Sequence, residues 1–155
     1  MILPLIDYSD IVYATGNAGN LKKLNTLQNK AIRIIGKMRK RTNTDEKRNK
    51  LKILELKKRR LIHSLQYAYK LSQIQTQRKV HGKNTRFSKE KFILNTLPVH
   101  SDTYAKSFDY KSRVYWNNLP KSVHKLRDKK EFNCFIKRNI DQIFNDLSRI
   151  QQVPS

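Results

Sequence analysis

The positive charge of this chain is concentrated rather than spread. Residues 21–86 hold 21 Lys and Arg against only Asp45, Glu46 and Glu55, whereas residues 1–20 hold Asp7 and Asp10 with no base, and residues 87–155 hold 13 bases and seven acids. In total 34 Lys+Arg stand against 12 Asp+Glu, a formal charge of +22. A segment charged in this way repels itself when it collapses, and a polyanion or salt must offset that repulsion. Nucleic acid is the commonest such polyanion. A merely solvated helix face is the competing explanation, weakened because the acids that would pair with these bases are missing. The runs Lys37-Met38-Arg39-Lys40-Arg41 and Lys57-Lys58-Arg59-Arg60 are densest, and either also reads as a nuclear-import signal.

With 155 residues the chain is one domain's worth of polypeptide, and a mean hydropathy of −0.77 leaves it a thin core and no large buried cavity. The single Cys134 excludes an intramolecular disulfide framework and a cysteine-rich zinc module, and it fits a reducing compartment. The apolar stretch Ile2–Ile6 is interrupted by Pro4 and followed by Asp7 and Asp10, so it reads as neither a signal peptide nor a membrane span.

Periodicity points to a mainly α chain. Leu21, Leu24, Leu27, Ala31, Ile34 and Ile35 recur at spacings of three and four, which predicts a helix from a cap at Asn20 to about Gly36 with that apolar stripe inward. Its other face carries Lys22, Lys23, Lys30 and Arg33. A shorter helix with Pro4 in its first turn and Leu5, Tyr8, Ile11 and Val12 on one face is expected before it, ended by Gly16-Asn17-Ala18-Gly19, so that the two form a helical hairpin. Thr42-Asn43-Thr44 offers a cap for a third helix starting at Asp45 and Glu46, whose acids suit a helix N-terminus. That helix is expected to run through Lys47–Leu54 and break near Glu55–Leu56. A longer one follows from Lys57 to about Gln75, carrying Leu61, Leu65, Ala68, Tyr69 and Ser72.

Residues 77–89 lose the pattern and read as a basic linker containing Lys83 and Arg86. Phe92–Leu97 and Ala105–Tyr110 then suggest two short strands or extended arms, a β-hairpin near 91–110. Arg113–Asn118 predicts a short helix stopped by Leu119-Pro120. Finally Phe132, Phe135, Ile136, Ile140, Ile143, Phe144, Leu147 and Ile150 mark an amphipathic helix capped by Asp128. The expected organisation is a helical basic region over 1–76, a linker over 77–90, and an arm, turn and C-terminal helix over 91–155.

Catalytic chemistry finds little support. Two-metal phosphoryl chemistry needs clustered carboxylates, and the acids here are scattered apart from Asp45-Glu46, which a helix start explains. His63, His81, His100 and His124 lack metal-ligand spacing, and no Gly-rich phosphate loop is present, so no metal or nucleotide cofactor is expected. Cys134 and His124 suggest a nucleophile and base only on paper, because Cys134 falls in the apolar pattern of the last helix and reads as a packed core thiol.

Two ordered sets of strings carry a resemblance. The first is Leu3-Pro4-Leu5-Ile6-Asp7-Tyr8, then Leu21–Leu24, then Leu27-Gln28-Asn29-Lys30-Ala31-Ile32-Arg33-Ile34-Ile35. The second is Thr85-Arg86, Lys106-Ser107-Phe108-Asp109-Tyr110, Tyr115-Trp116-Asn117-Asn118-Leu119-Pro120, and Phe132 followed by Phe135-Ile136-Lys137. In this order they resemble the region following the polymerase thumb in reverse transcriptases of non-LTR, LINE-like retrotransposons, especially the jockey and CR1-like clades. The resemblance implies the C-terminal segment of a longer endonuclease and RNA-directed DNA polymerase polyprotein, with its catalytic Tyr-x-Asp-Asp motif upstream. This sequence contains no such motif, and Met1 ahead of the first string suggests a truncated element read as a separate gene.

The leading expectation is therefore a non-catalytic nucleic-acid-binding segment. Lys22, Lys23, Lys30, Arg33, Lys37, Arg39, Lys40, Arg41, Lys57, Lys58, Arg59, Arg60, Lys83 and Arg86 would meet the backbone of template RNA or a primer duplex, with Tyr67 as the candidate for base stacking. Tyr69, Phe87, Tyr115 and Trp116 are further aromatics able to stack, though Trp116 fits better as core against Leu119 and the last helix. A nuclear or cytoplasmic ribonucleoprotein location follows, the nucleus favoured, with RNA or DNA and the polymerase portion of a retroelement protein as partners. The competing class is a protein-interaction module docking on a polymerase core through the first hairpin, its charge serving solubility alone.

Overall fold

The computed structural model describes residues 18–81, 93–96, 98–99 and 101–151. Every regular element among them is an α-helix: α1 (Ala18–Ile35), α2 (Asp45–Lys50), α3 (Leu56–His81), α4 (Asp102–Ala105), α5 (Phe108–Asn117), α6 (Lys121–His124) and α7 (Lys129–Gln151). The chain divides into two units, Met1–Arg60 and Leu61–Ser155, with the division inside α3. Residues 77–81, expected in a linker, continue α3. The expected helix over Leu5–Val12 lies outside the described residues, as do Lys83, Arg86 and Phe87.

In the first unit α1 starts two residues ahead of its expected cap, leaving Asn20 inside the helix. Its inward face is also turned away from the expected stripe. Ile32 and Gln28 are buried, whereas Leu27, Ile34 and Ile35 are exposed. The reason is polar: Gln28 Nε2 donates to Leu54 O at 3.1 Å, and Asn29 Oδ1 accepts from Arg48 Nη2 at 2.7 Å. What α1 faces is a carbonyl and a guanidinium, so amides point inward. Arg48 also pairs with Asp45 at 2.9 Å, with only 14% of its side chain exposed.

The helices α1 and α2 stop in the same way. Beyond α1, Lys37 N donates to Ile34 O (3.1 Å) and Met38 N to Arg33 O (2.9 Å); beyond α2, Lys52 N donates to Asn49 O (3.1 Å) and Ile53 N to Arg48 O (3.0 Å). Each is a Schellman motif, whose left-handed position usually belongs to glycine. Here it holds Lys37 (φ 50°) and Lys52 (φ 53°). Gly36 stands one residue earlier and serves close approach instead, since a Cβ there would lie 3.1 Å from Cγ and Cε of Lys47. The second motif ends α2 at Lys50, so the helix expected through Leu54 is six residues long. Its start is capped by Asn43, whose Oδ1 accepts from Asp45 N at 3.0 Å, while Thr44 makes no side-chain cap.

The second unit is built on aromatic packing. Tyr69 of α3 stacks on Phe132 of α7 with ring centroids 4.5 Å apart, and Trp116 of α5 meets Phe132 at 5.7 Å and Tyr69 edge-on at 6.2 Å. Leu65, Ala68, Ile136 and Ile140 extend this core along the facing helices, all buried. Gln66 Nε2 donates to Asn133 Oδ1 at 3.0 Å beside it. Ser107 caps α5 by accepting from Tyr110 N, and Asp128 caps α7 by accepting from Lys130 N. Within α7, Asn139 departs from helical angles (φ −107°, ψ 15°) as its Nδ2 donates to Phe135 O, a local competition that bends helices.

No strand occurs among the described residues, and the expected hairpin near 91–110 is not seen there. Ala105 closes α4 and Phe108–Tyr110 open α5. Within the expected first strand, Leu94 is buried between exposed neighbours. Its backbone pairs with one side chain: Leu94 N donates to Asn117 Oδ1 and Asn117 Nδ2 donates to Leu94 O, both at 2.9 Å.

Two predictions follow from these local geometries. A lysine in the left-handed region carries a penalty of roughly 1 kcal/mol that glycine does not. Lys37→Gly and Lys52→Gly are therefore each expected to be more stable than the matching Lys→Ala variant by about 1 kcal/mol, read from urea unfolding. Separately, Asn117→Ala removes both partners of Leu94, and hydrogen exchange of the Leu94 amide is expected to accelerate at least about tenfold, in line with loss of about 1.4 kcal/mol of local protection.

Candidate nucleic-acid interface

Between residues 18 and 60 sixteen Lys and Arg accompany three acids. Asp45 is already paired with Arg48. The remaining cations gather most tightly on the connection from α1 to α2, where Lys37, Arg39, Lys40 and Arg41 are all exposed. This connection is shaped rather than slack. Thr42 N donates to Arg39 O at 3.2 Å, closing a turn whose third residue, Arg41, is left-handed (φ 74°). Arg33 Nε donates to Thr42 O at 3.1 Å and fastens the turn to the end of α1. Strained backbone held by surrounding bonds is a feature of binding surfaces.

Lys22, Lys23 and Lys30 are exposed along α1, and Arg33 is half-buried by its bond to the turn. Of the run at the start of α3, Lys57 alone is exposed; Lys58, Arg59 and Arg60 are half-buried and none of the three is free. The run that looked equivalent in sequence is thus unequal in access. Lys50 and Lys52, which the sequence reading left out, are exposed at the end of α2. The signal for Lys52 was its place in a repeat of the α1 ending, with Gly36-Lys37-Met38 matched by Leu51-Lys52-Ile53.

No Phe, Tyr, Trp or His lies between residues 18 and 60, so this surface can hold phosphates but has no ring on which a base can stack. Tyr67, the expected stacking residue, is half-buried in the second unit. Its hydroxyl donates to Asp109 Oδ1 at 3.0 Å and its ring lies 5.2 Å from that of Phe108. Asp109 is held in turn by Arg113 Nε at 2.9 Å. Tyr67 therefore packs, because its hydroxyl has a charged acceptor and its ring an aromatic neighbour. Tyr69 and Trp116 are likewise buried in the aromatic core.

The two members of the nucleophile-and-base pair considered from sequence differ in access. His124 is buried, its ring 4.8 Å from that of Trp116 and its Nε2 2.8 Å from Trp116 O, where it donates. Cys134 is exposed, contrary to the packed thiol expected. The helix phase explains this: Phe132, Ile136, Ile140, Ile143 and Leu147 fill the inward face of α7, and Cys134 falls on the other. Among the described residues no three His, Cys, Asp or Glu gather as metal ligands, and no helix is long and apolar enough to cross a membrane. A shallow groove of about 90 Å³ lies beside the Asn139 kink, lined in part by Leu119, Phe135, Ile143 and Leu147. Comparison of the chain with family models, curated proteins and solved structures finds no match to any of the three.

The phenols of Tyr67 and Tyr69 are both raised above the ordinary value of 10.0. Burial is the main cause, reinforced for Tyr67 by its hydrogen bond to Asp109 and for Tyr69 by the charge of Asp128. A raised folded value means the folded chain holds these protons more tightly, so the stability they contribute is complete below about pH 10 and is lost as the pH climbs through the folded values. Tyr67→Phe is expected to cost about 1 kcal/mol at neutral pH and to make the alkaline fall in stability less steep, measured by urea unfolding at neutral and alkaline pH.

Proposed function

We propose that this chain is a non-catalytic nucleic-acid-binding protein whose first unit engages the sugar-phosphate backbone through the exposed cations of the α1 to α2 connection and the flanking helices. One observation carries the reading: the fastened turn that presents Lys37, Arg39, Lys40 and Arg41 together, in a stretch whose acids number three. Phosphate contacts of this kind position a nucleic acid without reading its sequence. The ordered strings from Leu3 to Lys137 support the further proposal that the chain is a post-thumb segment of a non-LTR retrotransposon reverse transcriptase. A Tyr-x-Asp-Asp motif encoded upstream of this sequence would support that ancestry, and an unrelated upstream region would remove it.

Binding is tested by fluorescence anisotropy with a generic RNA hairpin and the full chain. If about six phosphates are engaged, affinity is expected to fall by about 10³ between about 50 and 200 mM salt. Replacing Lys37, Arg39, Lys40 and Arg41 together by Glu is expected to abolish binding at the lower salt while the circular dichroism stays helical. A folded wild-type chain that ignores RNA and DNA in dilute salt overturns the proposal.

A further inference from the structure

The stripe that was expected to form the core of α1 faces outward, and its chemistry is not that of a phosphate site. Leu27 is 53% exposed, Ile34 78% and Ile35 63%, three of the six large apolar side chains that stand exposed among the described residues. Leu24 and Ala31, half-buried, complete the row. Leu24, Leu27, Ala31 and Ile34 follow one another at intervals of three, four and three, the spacing of a two-helix seam. Lys23 and Lys30 precede the first and third of these residues, seven positions apart, and both are exposed along one edge of the seam. The opposite edge carries Gln28, which is buried in the unit's own interior.

We infer that this face of α1 docks an amphipathic helix of a partner protein whose flanking positions are acidic. Flanking charges choose the partner of such a seam, and here the accessible flank is wholly lysine. No acid lies between residues 18 and 44 to neutralise it. A second copy of the chain is a poor occupant: antiparallel copies set lysine flank against lysine flank, and parallel copies require the flank that holds buried Gln28. Nucleic acid offers nothing apolar of matching shape along its backbone. A bilayer surface is disfavoured by the narrowness of the row, by the small Ala31 at its centre and by the absence of any aromatic anchor over residues 18–60. Ala31 instead lets a second helix come close. The occupant is thus a protein helix, read by apolar contact along the seam and by carboxylates at its edge.

The test uses the full chain and three labelled synthetic helices of three heptads. The first has a leucine seam flanked by Glu, the second the same seam flanked by Lys, and the third Glu flanks with the seam replaced by Ser. The Glu-flanked leucine helix is expected to bind at least about tenfold more tightly than either control, a difference of about 1.4 kcal/mol or more. Leu27→Ser with Ile34→Ser is expected to erase that preference with circular dichroism unchanged, both side chains being exposed. Lys23→Glu with Lys30→Glu is expected to reverse it toward the Lys-flanked helix. Equal binding of the seamless acidic peptide, or no effect of the Leu27 and Ile34 changes, overturns the inference. Binding to vesicles of anionic phospholipid that the same two Ser changes remove assigns the face to a membrane and also overturns it.

Discussion

Arg48 brings inside one of the sixteen bases that residues 18–60 hold against three acids, and the first unit depends on how that cation is held. Its guanidinium donates to Asn29 of α1 at 2.7 Å and to Asp45 of its own helix at 2.9 Å, so one side chain ties two elements whose surfaces repel. Among the described residues of this unit the fully buried apolar side chains are Ile32 and Leu56, and the contact of Arg48 with Asn29 helps to set the register of α1 against α2. Gln28 does the same for the segment before α3 by reaching the carbonyl of Leu54. Both interactions take polar side chains from the same face of α1, and that face is consequently the inner one.

The second unit is held by a different balance. Its buried set includes Tyr69, Trp116, Phe132, Leu65, Ile136 and Ile140, and the rings meet one another in stacked and edge-on contacts. Large rings contribute apolar area together with geometric preference, which fixes how α3, α5 and α7 pack within the unit. The polar ends are satisfied locally: Tyr69 OH donates to Arg127 O, Tyr67 OH to Asp109, and His124 Nε2 to Trp116 O. Tyr69 and Trp116 are thereby withdrawn from the surface, while Tyr67 stays half-buried. The cationic and aromatic contributions to recognition that often occur side by side in a single-strand binding groove are here separated by sequence, with rings missing from residues 18–60 altogether.

Much of this architecture was legible in the sequence because it rests on local signals. The apolar spacing from Phe132 to Leu147 with Asp128 as cap, the stop at Leu119-Pro120, and the acids at the head of α2 each act within a turn or two of chain. The failures have a common physical origin in partners distant along the chain. The inner face of α1 was misassigned because apolar periodicity cannot register that Arg48 and the Leu54 carbonyl lie opposite. Phe92–Leu97 has the apolar content of a strand, yet the backbone of Leu94 pairs with an asparagine side chain 23 positions later. Lys52 conceals the ending of α2 because it occupies a position where glycine is the usual sign, whereas Gly36, one residue before Lys37, marked the ending of α1. Of the two basic runs, the first exposes Lys37, Arg39, Lys40 and Arg41, while the equal-looking run at 57–60 exposes Lys57 alone since residues 58–60 turn into a packed helix.

The same displacement of α1 links the two surfaces of the first unit. Once polar side chains occupy the inner face, the leucines and isoleucines must be carried outward, and the lysines of positions 23 and 30 become the border between the apolar row and the cationic side of the helix. Lysine suits that border, because its aliphatic stem can lie along apolar surface while the ammonium stays in water. An interaction built on the row would combine water released from hydrocarbon with two salt-screened lysine contacts, whereas one built on the 37–41 turn would draw chiefly on released counterions and depend on salt more steeply. The two are therefore distinguishable in solution even though they share a helix. Lys30, standing at their common edge, is the position at which occupation of one face should be felt by the other, through competition of carboxylate and phosphate for the same ammonium.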